Sequence, residues 1–139
     1  MSPSEAREIL ETEWDLLEAL WTAGRGTARE ITEALAKRRG WAYSTVKTML
    51  DRMVDKGLVK GRLVGTVWEY TSGVPRRKAQ YWAWRRFVDV AFGGAVSPAL
   101  GFATQEARLS KKQREELRAL LDEVEADEKK AVGGKGDDE

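Results

Sequence analysis

A mainly α-helical chain with one small β-hairpin is the fold the sequence predicts, and three observations predict it. Residues 41–58 carry Val46, Met49, Leu50, Met53 and Val54 at helical spacing, so one face of that helix is built for burial. Residues 58–63 and 66–71 are β-prone runs on either side of Val64-Gly65, which is a hairpin signal. Two amphipathic helical stretches precede this pair, and further helical segments follow it. Two helices, a polar-faced third helix and a basic hairpin are the order of a winged helix-turn-helix. The later segments then form a C-terminal helical domain.

The first helix opens at Ser2-Pro3-Ser4-Glu5, a capping-box Ser and Glu with Pro at the first helical position. Ile9, Leu10, Trp14, Leu17, Leu20 and Trp21 make its apolar face, which ends at Gly24. Trp14 and Trp21 are expected in the core. Thr27-Ala28-Arg29-Glu30 is a second capping box, opening a helix to about Arg38 with Ile31, Ala34 and Leu35 inward. Lys37-Arg38-Arg39-Gly40-Trp41 is the turn before the third helix. Its charges fit phosphate contacts and plain solvation equally, and Trp41 is expected to pack the turn on the core. Gly57 is the left-handed stop of the third helix, and Lys56 suits the negative end of its dipole.

Ser72-Gly73-Val74-Pro75 breaks the second strand and sets the expected domain boundary. Residues 1–73 are read as the winged-helix domain, 74–130 as a helical dimerisation domain, and 131–139 as a glycine-rich, charged tail predicted to be disordered. From Pro75 a helix runs to Phe92, carrying Tyr81, Trp82, Trp84, Phe87, Val88 and Phe92 beside five basic residues. A helix projecting from so small a domain has more large apolar side chains than it can bury alone, which points to a partner. Gly93-Gly94 ends it, and Ser97-Pro98 starts a short helix holding Leu100 and Phe102. Ser110-Lys111-Lys112-Gln113 is a third capping box, ahead of Leu117, Leu120, Leu121 and Val124 at helical spacing. These helices read as one half of a dimer interface.

Composition narrows the function. Cysteine and histidine are both absent, which excludes disulfides, thiolate or imidazole metal sites and every nucleophile–histidine catalytic arrangement. No paired carboxylates sit in a catalytic context, so no enzyme, cofactor or metal is expected. No apolar run is long enough to span a membrane, and the N-terminus lacks a signal-peptide core, so a cytoplasmic protein is expected. The net charge of +1 hides an asymmetry: residues 37–114 hold 17 basic and 5 acidic side chains, between two acidic ends. A basic centre of this kind is the footprint of an anionic partner, most often nucleic acid.

The polar face of the third helix names the contact residues. Tyr43, Ser44, Thr45, Lys47 and Thr48 cluster in its first turns, where a recognition helix meets base edges. Arg52 on the same helix, with Lys60 and Arg62 on the hairpin, is expected on phosphates, which carry affinity but little sequence information. The partner so predicted is a double-stranded DNA operator. The rival reading is a winged-helix module whose helix and hairpin bind protein instead.

The chain also resembles the family of penicillinase, methicillin-resistance and copper-response repressors. The matching residues are Glu13-Trp14 with Leu20-Trp21, Tyr43-Ser44-Thr45-Val46-Lys47-Thr48, Leu50 with Arg52, and Lys56-Gly57-Leu58-Val59. Phe92-Gly93-Gly94 and Glu115-Glu116-Leu117-Arg118 with Leu121 match as well, so the similarity spans roughly residues 9–126. The resemblance implies a homodimeric repressor of a palindromic operator. Relatives cap the first helix with Ser or Thr four residues before the tryptophan, where this chain has Leu10, so an earlier helix start is expected. Copper-responsive relatives use C-terminal cysteines, which this chain lacks. Antibiotic-responsive relatives are cut by a membrane-bound sensor protease between Asn and Phe. Phe102 matches that site, but Gly101 replaces the asparagine.

Overall fold

The computed structural model describes residues 6–106 and 108–136, and it divides into two compact units, one closing at Gly94 and the other starting at Ala95. The Ser2-Pro3-Ser4-Glu5 helix start lies outside the described residues.

In the first unit, α1 is Glu11–Ala23. It begins right after Leu10, not a turn or two earlier as the missing Ser or Thr suggests. The reason is Glu13, whose Oε1 accepts the Leu10 N–H at 2.9 Å and satisfies a donor that the helix start leaves open. Leu16, Leu17 and Leu20 are buried, whereas Leu10 lies exposed. A two-residue strand, β1 (Gly26–Thr27), follows, and then α2 (Ala28–Ala34). The α2 capping box forms as expected, with Thr27 N donating to Glu30 Oε1 at 3.0 Å and Glu30 N donating to Thr27 Oγ1 at 3.2 Å. The helix stops at Ala34, short of Arg38, because the chain turns at 35–39 to bring Arg38 and Arg39 onto Asp15 of α1. Ile31 and Leu35 face inward, and Ala34 is exposed.

The central helix, α3, is Tyr43–Asp55. Val46, Leu50 and Met53 are fully buried, Met49 is half-buried, and Val54 lies at the surface. Its C-terminus closes as a Schellman motif. Gly57, at φ +79°, donates to Val54 O at 3.0 Å, and Leu58 N donates to Met53 O at 2.9 Å. The wing is β2 (Val59–Val64) and β3 (Val67–Ser72), joined through Gly65-Thr66 with Gly65 at φ +65°. β3 is central in an antiparallel sheet of order β1-β3-β2, in which Arg62 lies opposite Glu69 and Gly26 opposite Tyr70. The winged helix is therefore present, with a third strand that a two-residue segment was too short to announce.

Packing does not end at the 72–75 break. Val74, Ala79 and Trp82 join Leu16, Leu20, Leu50 and Tyr70 in the core, and Trp21 Nε1 donates to Val74 O at 3.0 Å. α4, Arg76–Phe92, therefore buries Trp82 within this chain, at 5% exposure. The second unit holds α5 (Val96–Glu106) and α6 (Lys111–Gly136). The expected box caps α6: Ser110 N donates to Gln113 Oε1 at 2.9 Å, and Gln113 N donates to Ser110 Oγ at 3.1 Å. The backbone stays helical to Gly136, past the Ala131 where composition predicts order to end, and residues 137–139 lie outside the described residues. Among the described residues no single helix is long and apolar enough to cross a membrane.

Candidate nucleic-acid interface

The start of α3 presents its polar side chains outward. Tyr43, Ser44, Thr45 and Thr48 are exposed, and the Thr48 hydroxyl donates to Ser44 O at 2.9 Å, which leaves its oxygen lone pairs facing solvent as acceptors. No side chain caps α3, so the first N–H groups of the helix point outward beside these hydroxyls. The Arg29 guanidinium of α2 sits 5.7 Å from the Tyr43 ring centroid. It adds a cation to the rim that the helix pattern alone did not reveal.

Lys47 is held differently. Its ammonium donates to Asp51 Oδ1 at 2.9 Å and to the Tyr70 phenol oxygen, and lies 5.2 Å from the Tyr70 ring centroid. The Tyr70 hydroxyl in turn donates to Asp51 Oδ1 at 3.0 Å, closing a triangle between α3 and the wing. The hydrogen bond to Tyr70 raises the Lys47 pKa above its ordinary value, and burial raises that of Tyr70. Both groups therefore keep their protons at neutral pH. A groove beside this triangle is lined by Arg29, Tyr43, Thr66, Trp68 and Tyr70.

On the wing, Lys60 and Arg62 are exposed, with Arg62 Nη2 3.0 Å from Glu69 Oε1 on the paired strand. Arg62 is thus partly neutralised, while Arg25 lines the same shallow hollow as Lys60, Arg62 and Thr71. Beyond Arg62 the tip is apolar: Leu63, Val64, Val67 and Trp68 are all exposed. Arg52 lies exposed in the last turn of α3.

Two ion clusters flank α3. Asp15, buried in α1, pairs with Arg38 at 2.8 Å and with Arg39, and the Arg39 guanidinium sits 5.3 Å from the Trp41 ring centroid. The turn arginines thus brace the turn, a third option beside phosphate contact and solvation. At the other end of α3, Lys56 Nζ lies 2.9 Å from both oxygens of the buried Glu13 carboxylate, and Arg7 Nη1 donates to Lys56 O at 2.9 Å.

Of the residues expected in a dimer interface, Trp82 and Val88 are buried, and Tyr81, Trp84 and Phe92 are half-buried. Phe87 is exposed, with its ring centroid 5.6 Å from that of Phe92. On α6, Leu117 is half-buried and Leu120, Leu121 and Val124 are exposed. Gly101 and Phe102 fall inside α5, and Phe102 is exposed.

The sequence profile of the penicillinase repressor family matches residues 9–123. The methicillin resistance regulatory protein MecI of Mammaliicoccus sciuri is 29% identical over 115 residues, covering 82% of this chain and 93% of that protein. The penicillinase repressor of Staphylococcus aureus is 27% identical over 118 residues, covering 84% and 93%. Among solved structures, the monomeric Bacillus licheniformis BlaI in complex with the blaP half-operator aligns at 24% identity and a TM-score of 0.47, over 53% of this chain and 90% of that one. On the strength of a family match spanning residues 9–123, the chain belongs to the penicillinase repressor family.

Proposed function

We propose that this DNA-binding repressor works as a homodimer, each winged-helix module reading one half of a palindromic operator through α3. The observation that carries the reading is the exposed row Tyr43, Ser44, Thr45 and Thr48 on the first turns of α3, with the basic strand β2 alongside. Those hydroxyls, with Lys47, supply the donors and acceptors that base edges require. Arg52, Lys60 and Arg62 lie where phosphates flank the groove, joined by Arg25 and Arg29. Half-sites would be spaced by whole turns of DNA, about 10 bp or a multiple.

In this reading residues 1–73 bind DNA and 74–130 hold the pair together. The exposed Phe87 of α4, and Leu120, Leu121 and Val124 of α6, support it, since such side chains call for a partner. Tyr81, Trp84, Phe92 and Leu117 border them, and Trp82 and Val88 act from beneath as support. Repression takes place in the cytoplasm, with no cofactor and no catalytic step. The releasing signal is unassigned; proteolysis between Gly101 and Phe102 by a membrane-bound sensor protease would require α5 to unwind first, and Gly101 stands where the cleaved relatives have asparagine.

The test is selection of duplexes from a random pool, followed by binding to the selected sequence at several salt concentrations. A palindromic consensus, with log affinity falling linearly against log salt, is the expected result. Absence of any enriched sequence, with salt-insensitive capture of protein partners, would favour the protein-interaction alternative.

A further inference from the structure

The Lys47–Asp51–Tyr70 triangle does more than join the wing to α3. A free lysine side chain is a mobile point charge that finds phosphates as readily as bases. Here two of its three N–H donors go to the Tyr70 phenol and Asp51 Oδ1, with the ammonium held at the hydroxyl edge of the ring. That leaves one donor with a set direction. Asp51 is itself exposed, so its carboxylate repels any phosphate that approaches the same ammonium, while a neutral base acceptor meets less opposition. Tyr70 is 1% exposed and cannot reach DNA itself. Its hydroxyl, donating to Asp51 and accepting from Lys47, holds the carboxylate and the ammonium side by side.

We propose that Tyr70 and Asp51 are specificity-determining positioning residues, which fix the Lys47 ammonium at the α3–wing groove so that it meets a base-edge acceptor instead of the backbone. The inference rests on the DNA-reading role of α3, and it deepens that role by naming residues that act without touching DNA. The acceptor it fits is a ring nitrogen or carbonyl oxygen in the major groove, such as guanine N7 or O6.

The experiment uses the full chain, the duplex it selects from a random pool, and a scrambled duplex of the same length. Tyr70→Phe keeps the buried ring and removes only the hydroxyl. It is expected to lower the ratio of selected to scrambled affinity about tenfold, in the range of one lost base contact. Affinity for the scrambled duplex should hold or rise. Asp51→Asn should also lower the ratio, by strengthening scrambled binding. In a Lys47→Ala background Tyr70→Phe should have no further effect on the ratio, because the phenol acts through the ammonium.

A uniform loss on both duplexes, persisting in the Lys47→Ala background, would assign Tyr70 a purely structural role and overturn the proposal. An unchanged ratio in both single variants would overturn it too. Failure of the unmodified protein to prefer any duplex is a separate result, and it would strike at the DNA-reading role itself.

Discussion

Lys56 Nζ sits 2.9 Å from both carboxylate oxygens of Glu13, tying the C-terminal cap of α3 to the first turn of α1. Glu13 is buried, and the same Oε1 accepts the N–H of Leu10. Lys56→Ala would leave that carboxylate without its cation, at a cost of about 1–3 kcal/mol. Lys56 is itself partly exposed, so water compensates in part and the lower half of that range is expected. Urea unfolding of the two proteins measures it, and equal midpoints would mean the pair contributes nothing.

The reading face gives a second expectation. Lys47→Ala should weaken binding to the selected duplex by about 1–3 kcal/mol and change binding to scrambled DNA little. Thr48→Ala should follow the same pattern, reduced where its hydroxyl is already engaged with Ser44 O. Equal losses on both duplexes would move these residues to the phosphate-binding class.

Lys60 and Arg62 should differ on the wing. A phosphate-neutralising cation contributes about 0.9 to the slope of log affinity against log salt. Lys60→Ala is expected to remove close to that amount. Arg62 shares its guanidinium with Glu69, so Arg62→Ala should remove less. A larger drop for Arg62 in salt titrations would show that DNA binding breaks the Glu69 pair.

Alkaline pH should loosen the link between α3 and the wing. The folded-state pKa values of Lys47 and Tyr70 both lie above their ordinary values of 10.5 and 10.0. Groups raised in this way stabilise the fold fully below the unfolded pKa, and that stability is lost as pH rises through the folded value. The melting-temperature gap between the unmodified protein and Tyr70→Phe should stay constant from about pH 7 to about pH 9 and narrow above about pH 10. A gap that widens with pH would contradict the sign.

Trimming the chain tests where the first unit ends. A fragment of residues 1–73 lacks Val74, Ala79 and Trp82, all members of its core. Removing a buried Trp alone costs about 3–5 kcal/mol. The 1–73 fragment should therefore melt well below a 1–94 fragment, and Trp82→Ala in the full chain should show a comparable loss. Identical melting of the two fragments would return Trp82 to a role purely at an interface between copies.

Local signals carried most of the fold. The buried stripe Val46, Leu50 and Met53, the Gly57 stop, the hairpin turn at Gly65 (one residue later than the Val64-Gly65 read from the sequence) and the Thr27 and Ser110 capping boxes each rest on nearby residues in the chain. Residue type and spacing determine such features because the groups that satisfy one another are adjacent in sequence. The polar start of α3 was legible for the same reason. Partnerships across long stretches were decided by tertiary structure. β1 exists only because Gly26 and Thr27 find Tyr70 and Glu69, and Trp82 is buried only because α4 packs back on the winged-helix core. Arg38 and Arg39 brace the turn because α1 offers a buried Asp15. The triangle at Lys47 depends on a phenol 23 residues away. Nothing local marks Tyr70 as its partner, since the hydrogen bond forms only after the hairpin folds against α3 and brings the two side chains together.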